Sequence, residues 1–272
     1  MHGYIFGAFL LLMCGIFFYV TNLAGGSAYF EYTLQHTSFI FLLIVPIVTM
    51  KCIAEEKHQR TDQLLFSLPI STTDIVLGKF FALYTVFLIP LAIMSLYPLV
   101  LSLFGEVNFA GTYSCMLGFF LLGGVLLSIG IFISSLTESQ VIAAVVSFAA
   151  VLLMYLASSL STLIPATETA SLIAFSIVCV IFALCVYALT KDAFIAAGFG
   201  VVLEAALIIW YMNARASFAG LFAKVLTSLS VYDVYYQLSV GIFDISAVVY
   251  FISVMAVCLF LTVQSLERKR YN

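Results

Sequence analysis

Charge is the first thing this sequence lacks. Lys, Arg, Asp and Glu make up 8% of its 272 residues, against roughly 25% in ordinary soluble domains. So few charges cannot clothe a globular surface in water-facing groups, which excludes a soluble fold. The ten basic residues form no stripe that would neutralise phosphates, so nucleic acid is excluded as a partner. Nucleotide-binding and hydrolytic signatures are missing too, with no G-x-x-x-x-G-K-[ST], no H-E-x-x-H and no G-x-S-x-G. No catalytic residue and no P-loop cradle is therefore expected. The six cysteines (Cys14, Cys52, Cys115, Cys179, Cys185 and Cys258) contain no C-x-x-C and sit in or beside apolar runs. That spacing argues against a zinc site or a disulfide framework and reads them as small apolar side chains. His2, His36 and His58 stand apart from one another, so no metal-ligating set is expected.

What is present is hydrophobic: 64% of residues, with a mean hydropathy of +1.21. The expected fold class is an all-α polytopic membrane protein. A membrane helix needs roughly 20 predominantly apolar residues, and about eight such runs occur, near 3–21, 35–54, 74–104, 113–135, 139–164, 170–190, 192–212 and 245–266. The first run has no Lys or Arg ahead of it, so it reads as a span and not as a signal peptide. Pro46 is expected to bend the second span, and Pro90 and Pro98 the third. With eight spans, Lys51, Lys57, Arg60, Lys79, Lys191, Arg268, Lys269 and Arg270 fall on one side of the membrane. Arg215 and Lys224 fall on the other. The basic excess marks the cytoplasm, which puts both termini there and makes the chain a multi-pass protein of the cell membrane.

The block Glu55–Lys79 holds seven of the 23 charged residues between two apolar runs. Thr61 and Asp62 suit the start of a short helix, on which Leu64, Leu65 and Leu68 fall on one side. Pro69 stops it. Ser71 and Asp74 form an S-x-x-D capping box for the next helix, read as opening with Ile75 and Val76. The order Glu55-Glu56-Lys57, Thr61, Leu64-Leu65, Ser67-Leu68-Pro69-Ile70-Ser71, Gly78-Lys79 resembles the ABC type-2 permease family, most closely its gliding-motility and copper-maturation branch. The resemblance implies an exporter-like membrane subunit with a six-span core, and spans six and seven as an inserted two-helix hairpin. It implies that residues 55–79 are a cytoplasmic coupling segment seated in an ABC ATPase subunit. ATP and Mg would be bound on that partner, with no cofactor on this chain. Glu55, Glu56, Arg60, Leu64, Leu65, Leu68 and Pro69 are its ATPase-coupling candidates. Two residues depart from the pattern: Arg60 stands where the family often has Gly, and Gln63 where it often has Glu. An interfacial helix lying on lipid headgroups is the other reading of the periodicity. A second permease subunit, identical or different, is implied as a further partner.

Other features are weaker. Gly124 and Ser128 make a small-xxx-small pair in the fourth span, for a contact within or between subunits. The turn after it holds Thr137 and Gln140 as a T-x-x-Q capping box. By resemblance Thr137, Glu138 and Gln140 form a second cytoplasmic contact. Glu204 lies mid-span and is costly in lipid. It is a transport-path candidate, either the coupling group of a proton- or ion-driven secondary transporter or a carboxyl hydrogen-bonded for packing. Residues 213–244 form an extracytoplasmic amphipathic segment with Phe218, Leu221, Phe222, Val225 and Leu229 on one face, followed by Tyr232, Tyr235 and Tyr236, which suit the membrane–water interface.

Overall fold

The computed structural model describes residues 2–61, 70–163, 165–190, 193–213, 215–239 and 244–271. Among these every regular element is helical. They are α1 (His2–Phe17), running on as a π-helical stretch (Phe18–Ala24), α2 (Phe30–Ser38), α3 (Phe41–Thr49), α4 (Ala54–His58) and α5 (Thr72–Met94). There follow α6 (Tyr97–Leu101), α7 (Phe109–Leu136), α8 (Gln140–Leu163), α9 (Glu168–Thr190) and α10 (Ala193–Asn213). A 3-10 turn (Arg215–Phe218), α11 (Leu221–Leu229), α12 (Val231–Ser239) and α13 (Ile245–Tyr271) complete the chain.

The chain divides into two compact units, Met1–Tyr155 with Val231–Asn272, and Leu156–Ser230. Of the described residues, five helices are long and apolar enough to cross a membrane, and the bent α2–α3 pair makes up to six. All six begin in the first unit. The two hairpin helices belong to the second, and their apolar stretches within the described residues are shorter, Glu168–Val180 and Ala197–Asn213. The Lys191-Asp192 connection expected between them lies outside the described residues.

α7 is the axis of the first unit. Nearly four-fifths of its apolar window is buried, against under a third for each of the other long spans. Its glycines decide this. A Cβ at Gly123 would stand 2.5 Å from Phe87 Cε1, and one at Gly124 would stand 2.7 Å from Met255 Sδ and 2.9 Å from a Tyr84 ring carbon. One at Gly130 would overlap the Thr49 side chain, and one at Gly118 would press on Leu238 and Tyr235. So α5, α13, α3 and α12 each approach α7 through a missing side chain, and these small residues serve contacts within the subunit. Lipid tails are as apolar as leucine, so such close packing, not exclusion from water, holds spans together. Around the axis, Phe41 lies 4.8 Å from Phe119 and 5.5 Å from Phe87, ring to ring, while Tyr84 stacks on Phe120 at 4.1 Å.

Three local expectations change. The second span bends by 50° at Phe39–Ile40, ahead of Pro46. There the amides of Phe39, Leu42 and Leu43 bond three residues back, which tightens the helix and redirects it. Pro46 sits buried inside α3. The third span breaks at Ser95–Leu96, just before Pro98, which lacks the N–H that Met94 would otherwise receive, as expected of that proline, whereas Pro90 lies inside α5, which runs on to Met94. Tyr232 and Tyr235 are not interfacial: both are fully buried in the first unit. Tyr235 lies 6.2 Å from Phe119 and its hydroxyl is 3.6 Å from Cys115 Sγ, while Tyr232 donates to Ser38 O at 3.4 Å.

In the second unit Phe218 is buried, with the rings of Trp210 and Tyr211 at 5.1 and 5.3 Å, and Phe175 at 6.3 Å. Ser176 of α9 donates to Glu204 of α10 at 3.1 Å. This gives the mid-span carboxyl a partner inside the hairpin.

Candidate coupling junction at one end of the bundle

The chain leaves α3 at Thr49, turns, and enters α4 at Ala54. The residue before α4, Ile53, has no side chain able to cap it. The cap comes instead from α7, where Ser134 Oγ accepts from the amides of Ile53 at 3.2 Å and Ala54 at 3.0 Å. The same hydroxyl donates to Met50 O at 3.3 Å. A helix start leaves amides without partners, and here a side chain eighty residues further on takes two of them. Lys57 is buried and donates to Ser135 O. Ser265 of α13 donates to the same carbonyl at 3.4 Å. Glu56 pairs with Lys79 of α5, which also donates to Cys52 O at 2.7 Å. Thr72, at the first position of α5, donates to Glu267 of α13 at 3.0 Å. Segment 50–57 is thus tied directly to the ends of α7 and α5, and α13 is bonded to both of those ends.

α4 ends in a Schellman motif: the Arg60 amide donates to Lys57 O and the Thr61 amide to Glu56 O. The motif needs a left-handed residue at Arg60, whose φ is +56°. A side chain there costs roughly 1–2 kcal/mol and glycine costs none, so the backbone at this place is one that favours glycine. Arg60→Gly is therefore expected to leave the fold intact and raise stability by about 0.5–1 kcal/mol, after glycine's larger unfolded-state entropy is allowed for. A thermal midpoint measured in detergent checks this; a clear fall would show that the arginine side chain, not the backbone, governs the turn.

Of the expected coupling residues, Glu55 is half-buried and accepts from Gln59 at 3.3 Å, Glu56 is half-exposed and pairs with Lys79, and Arg60 is exposed. Leu64, Leu65, Leu68 and Pro69 lie outside the described residues. Ser71 caps α5 as expected, accepting from the Asp74 amide at 3.1 Å, so α5 opens at Thr72, one turn before Ile75. In the second turn the cap of α8 is Ser139, which accepts from the Ile142 amide at 3.4 Å, and not Thr137. The Thr137 hydroxyl accepts from the Ser139 amide at 3.2 Å, because its residue is extended and ends α7. The Lys57–Ser135 bond brings this turn, with Thr137, Glu138 and Gln140, to the same end as α4. Glu204 belongs to the other unit. Sequence reasoning missed Ser134, Ser135 and Lys57. The Ser-Ser pair closing an apolar run was the signal, but hydroxyls there serve equally as ordinary helix ends.

Apolar helices with polar side chains gathered at one end define a multi-pass membrane protein. The family model described as "ABC-2 family transporter protein" matches residues 20–172. That is more than half the chain, and the protein belongs to this family as a transporter membrane component. The match runs from the π-helical stretch through the junction and stops at the start of α9, where the hairpin begins. No curated protein and no solved structure matches the chain.

Proposed function

We propose that this chain is the membrane-spanning subunit of an ATP-driven exporter of the gliding-motility and copper-maturation kind, powered by a separate ATPase chain. ATP and Mg belong to that partner. Segment 55–79 docks on it from the cytoplasm, the turn at Thr137–Gln140 adds a second contact, and both termini lie on that side. Two membrane subunits, identical or different, line one path. The observation that carries this reading is the anchoring of segment 50–57. A contact that transmits the closure of an ATPase must be stiff, and Ser134, Ser135, Lys79 and Lys57 tie this segment to α7 and α5. The basic excess on the same side supports the orientation independently.

Two measurements test it. In a cysteine-free background, single cysteines at Glu106 and Thr167, both exposed, should label with an impermeant thiol reagent from outside. Cysteines at Gln59 and Glu138 should label only after permeabilisation. Outside labelling of Gln59 in intact cells would sink both the topology and the docking assignment. In proteoliposomes with the ATPase, transport should need ATP hydrolysis and survive both collapse of the proton gradient and Glu204→Gln. Transport driven by a pH gradient without the ATPase, and lost in Glu204→Gln, would establish the secondary-transporter reading instead.

A further inference from the structure

At the end of the bundle opposite the junction, a cavity of about 230 Å³ is lined by Tyr29, Glu31, Tyr32, Gln35, Asn108, Gly111 and Ser239. Glu31 stands in the first turn of α2 and is 8% exposed. One of its oxygens accepts from Thr112 Oγ1 at 2.7 Å. The other is buried and has no hydrogen-bond partner among the described residues. The helix dipole favours an acid in a first turn, but it does not explain a carboxyl oxygen taken out of water with no donor aimed at it. Buried polar groups in native proteins are nearly always paired, and the exceptions call for a missing partner.

The rest of the wall says what that partner is. Gln35 donates its amide N–H to Ser239 Oγ at 2.5 Å, which leaves its amide oxygen as an acceptor. Asn108 Oδ1 accepts from the Gly111 amide at 3.2 Å. Among the described residues no Lys, Arg or His lines the cavity, and the one formal charge they bring to it is negative. Tyr29 and Tyr32 are both exposed, with rings 6.0 Å apart edge to face. Aromatic faces attract cations, and organic ammonium ions most characteristically. A divalent metal fits poorly, because the described residues hold no group of three or more His, Cys, Asp or Glu able to ligate one. A carboxylate, an amide oxygen and two tyrosine rings instead form a receptor for an ammonium group.

We propose that the Glu31 cavity binds an ammonium cation, with Glu31 as its counter-charge and Tyr29 and Tyr32 as its aromatic wall. The cation is carried either by a soluble amine or by a lipid headgroup, two sources with the same chemistry. The site is independent of the ATPase assignment, since neither its residues nor its test involve the partner.

The experiment uses the full chain in nanodiscs of phosphatidylglycerol, which has no ammonium group. Thermal midpoints are recorded against rising choline or ethanolamine chloride, with sodium chloride at matched ionic strength as the control. A second series replaces half the lipid by phosphatidylethanolamine. A saturable rise in midpoint with choline or ethanolamine identifies a soluble amine, and a rise only with phosphatidylethanolamine identifies the headgroup. In Glu31→Gln the apparent affinity should fall by about tenfold or more, since a charge-assisted contact is lost. Tyr32→Leu, at an exposed position that leaves the carboxyl in place, should weaken the response as well and serves if Glu31→Gln does not fold. No ammonium-dependent rise in either series, or an undiminished rise in folded Glu31→Gln or Tyr32→Leu, overturns the proposal.

Discussion

Leu65→Asp is expected to abolish co-purification with the ATPase while leaving expression and membrane insertion intact. Read from the sequence pattern, the stretch from Asp62 to Leu68 is expected to set Leu64, Leu65 and Leu68 on one side of a short helix that Pro69 would stop, ahead of the Ser71 cap. A few buried apolar residues usually dominate an interface, and Leu65 and Leu68 are the apolar anchors available here. An aspartate at Leu65 would be desolvated without a partner on docking, which costs about 3 kcal/mol or more and lowers affinity by over a hundredfold. Insertion should be spared, because the block holds seven of the 23 charged residues and is expected to stay outside the lipid. The decisive comparison is ATPase recovered per unit of membrane subunit, together with ATP hydrolysis per transported molecule. If Leu65→Asp binds and transports as wild type does, this helix is only a membrane-surface element.

Gly123→Leu is expected to be the most damaging single change to the fold. A Cβ at Gly123 already falls 2.5 Å from Phe87 Cε1 and 2.8 Å from Cζ, before the rest of a leucine is added. Phe87 cannot swing aside, because it is fully buried between Phe41, Phe119 and Phe120, with ring centroids at 5.5, 5.9 and 5.9 Å. Overpacking of this kind costs about 1–3 kcal/mol and at times more, and here it would push α5 off the central helix. A large drop in thermal midpoint and in recovered monodisperse protein should follow. Gly78→Ala is the control. None of the described residues lies within 4 Å of a Cβ there, and alanine is favoured over glycine in a helix by up to about 1 kcal/mol, so stability should hold or rise slightly. A midpoint for Gly123→Leu equal to wild type would mean that α5 and α7 are not packed through this glycine.

The two expectations that read one local segment fared differently for a physical reason. Ser71 caps α5 because an N-cap bond spans three residues and needs nothing beyond them. Thr137 failed as a cap because Ser139, two residues on, offers the same chemistry, and pattern alone does not rank two competing hydroxyls. The left-handed turn at Arg60 was half-legible. Its oddity against the family pattern was visible, while its cause, the Schellman bonds closing α4, appeared only with the backbone.

By itself the sequence determined that the protein is helical and membrane-embedded, since so few charges leave no other solvent for its surface. It also located the candidate spans of the first unit, the charged block and the capped start of α5, while of the eight spans expected five to six are long and apolar enough among the described residues. Tertiary structure alone decided which side of each span meets protein and which meets lipid. In a membrane both sides are apolar, so the hydrophobic periodicity that betrays a buried face in water is nearly silent. Hence the burial of Tyr232 and Tyr235 against α7, the bend at Phe39–Ile40, the Ser134 cap on α4 and the unpartnered oxygen of Glu31 could not be read in advance. Each depends on a neighbour far away in the chain or on a change in backbone bonding, and apolar composition records neither.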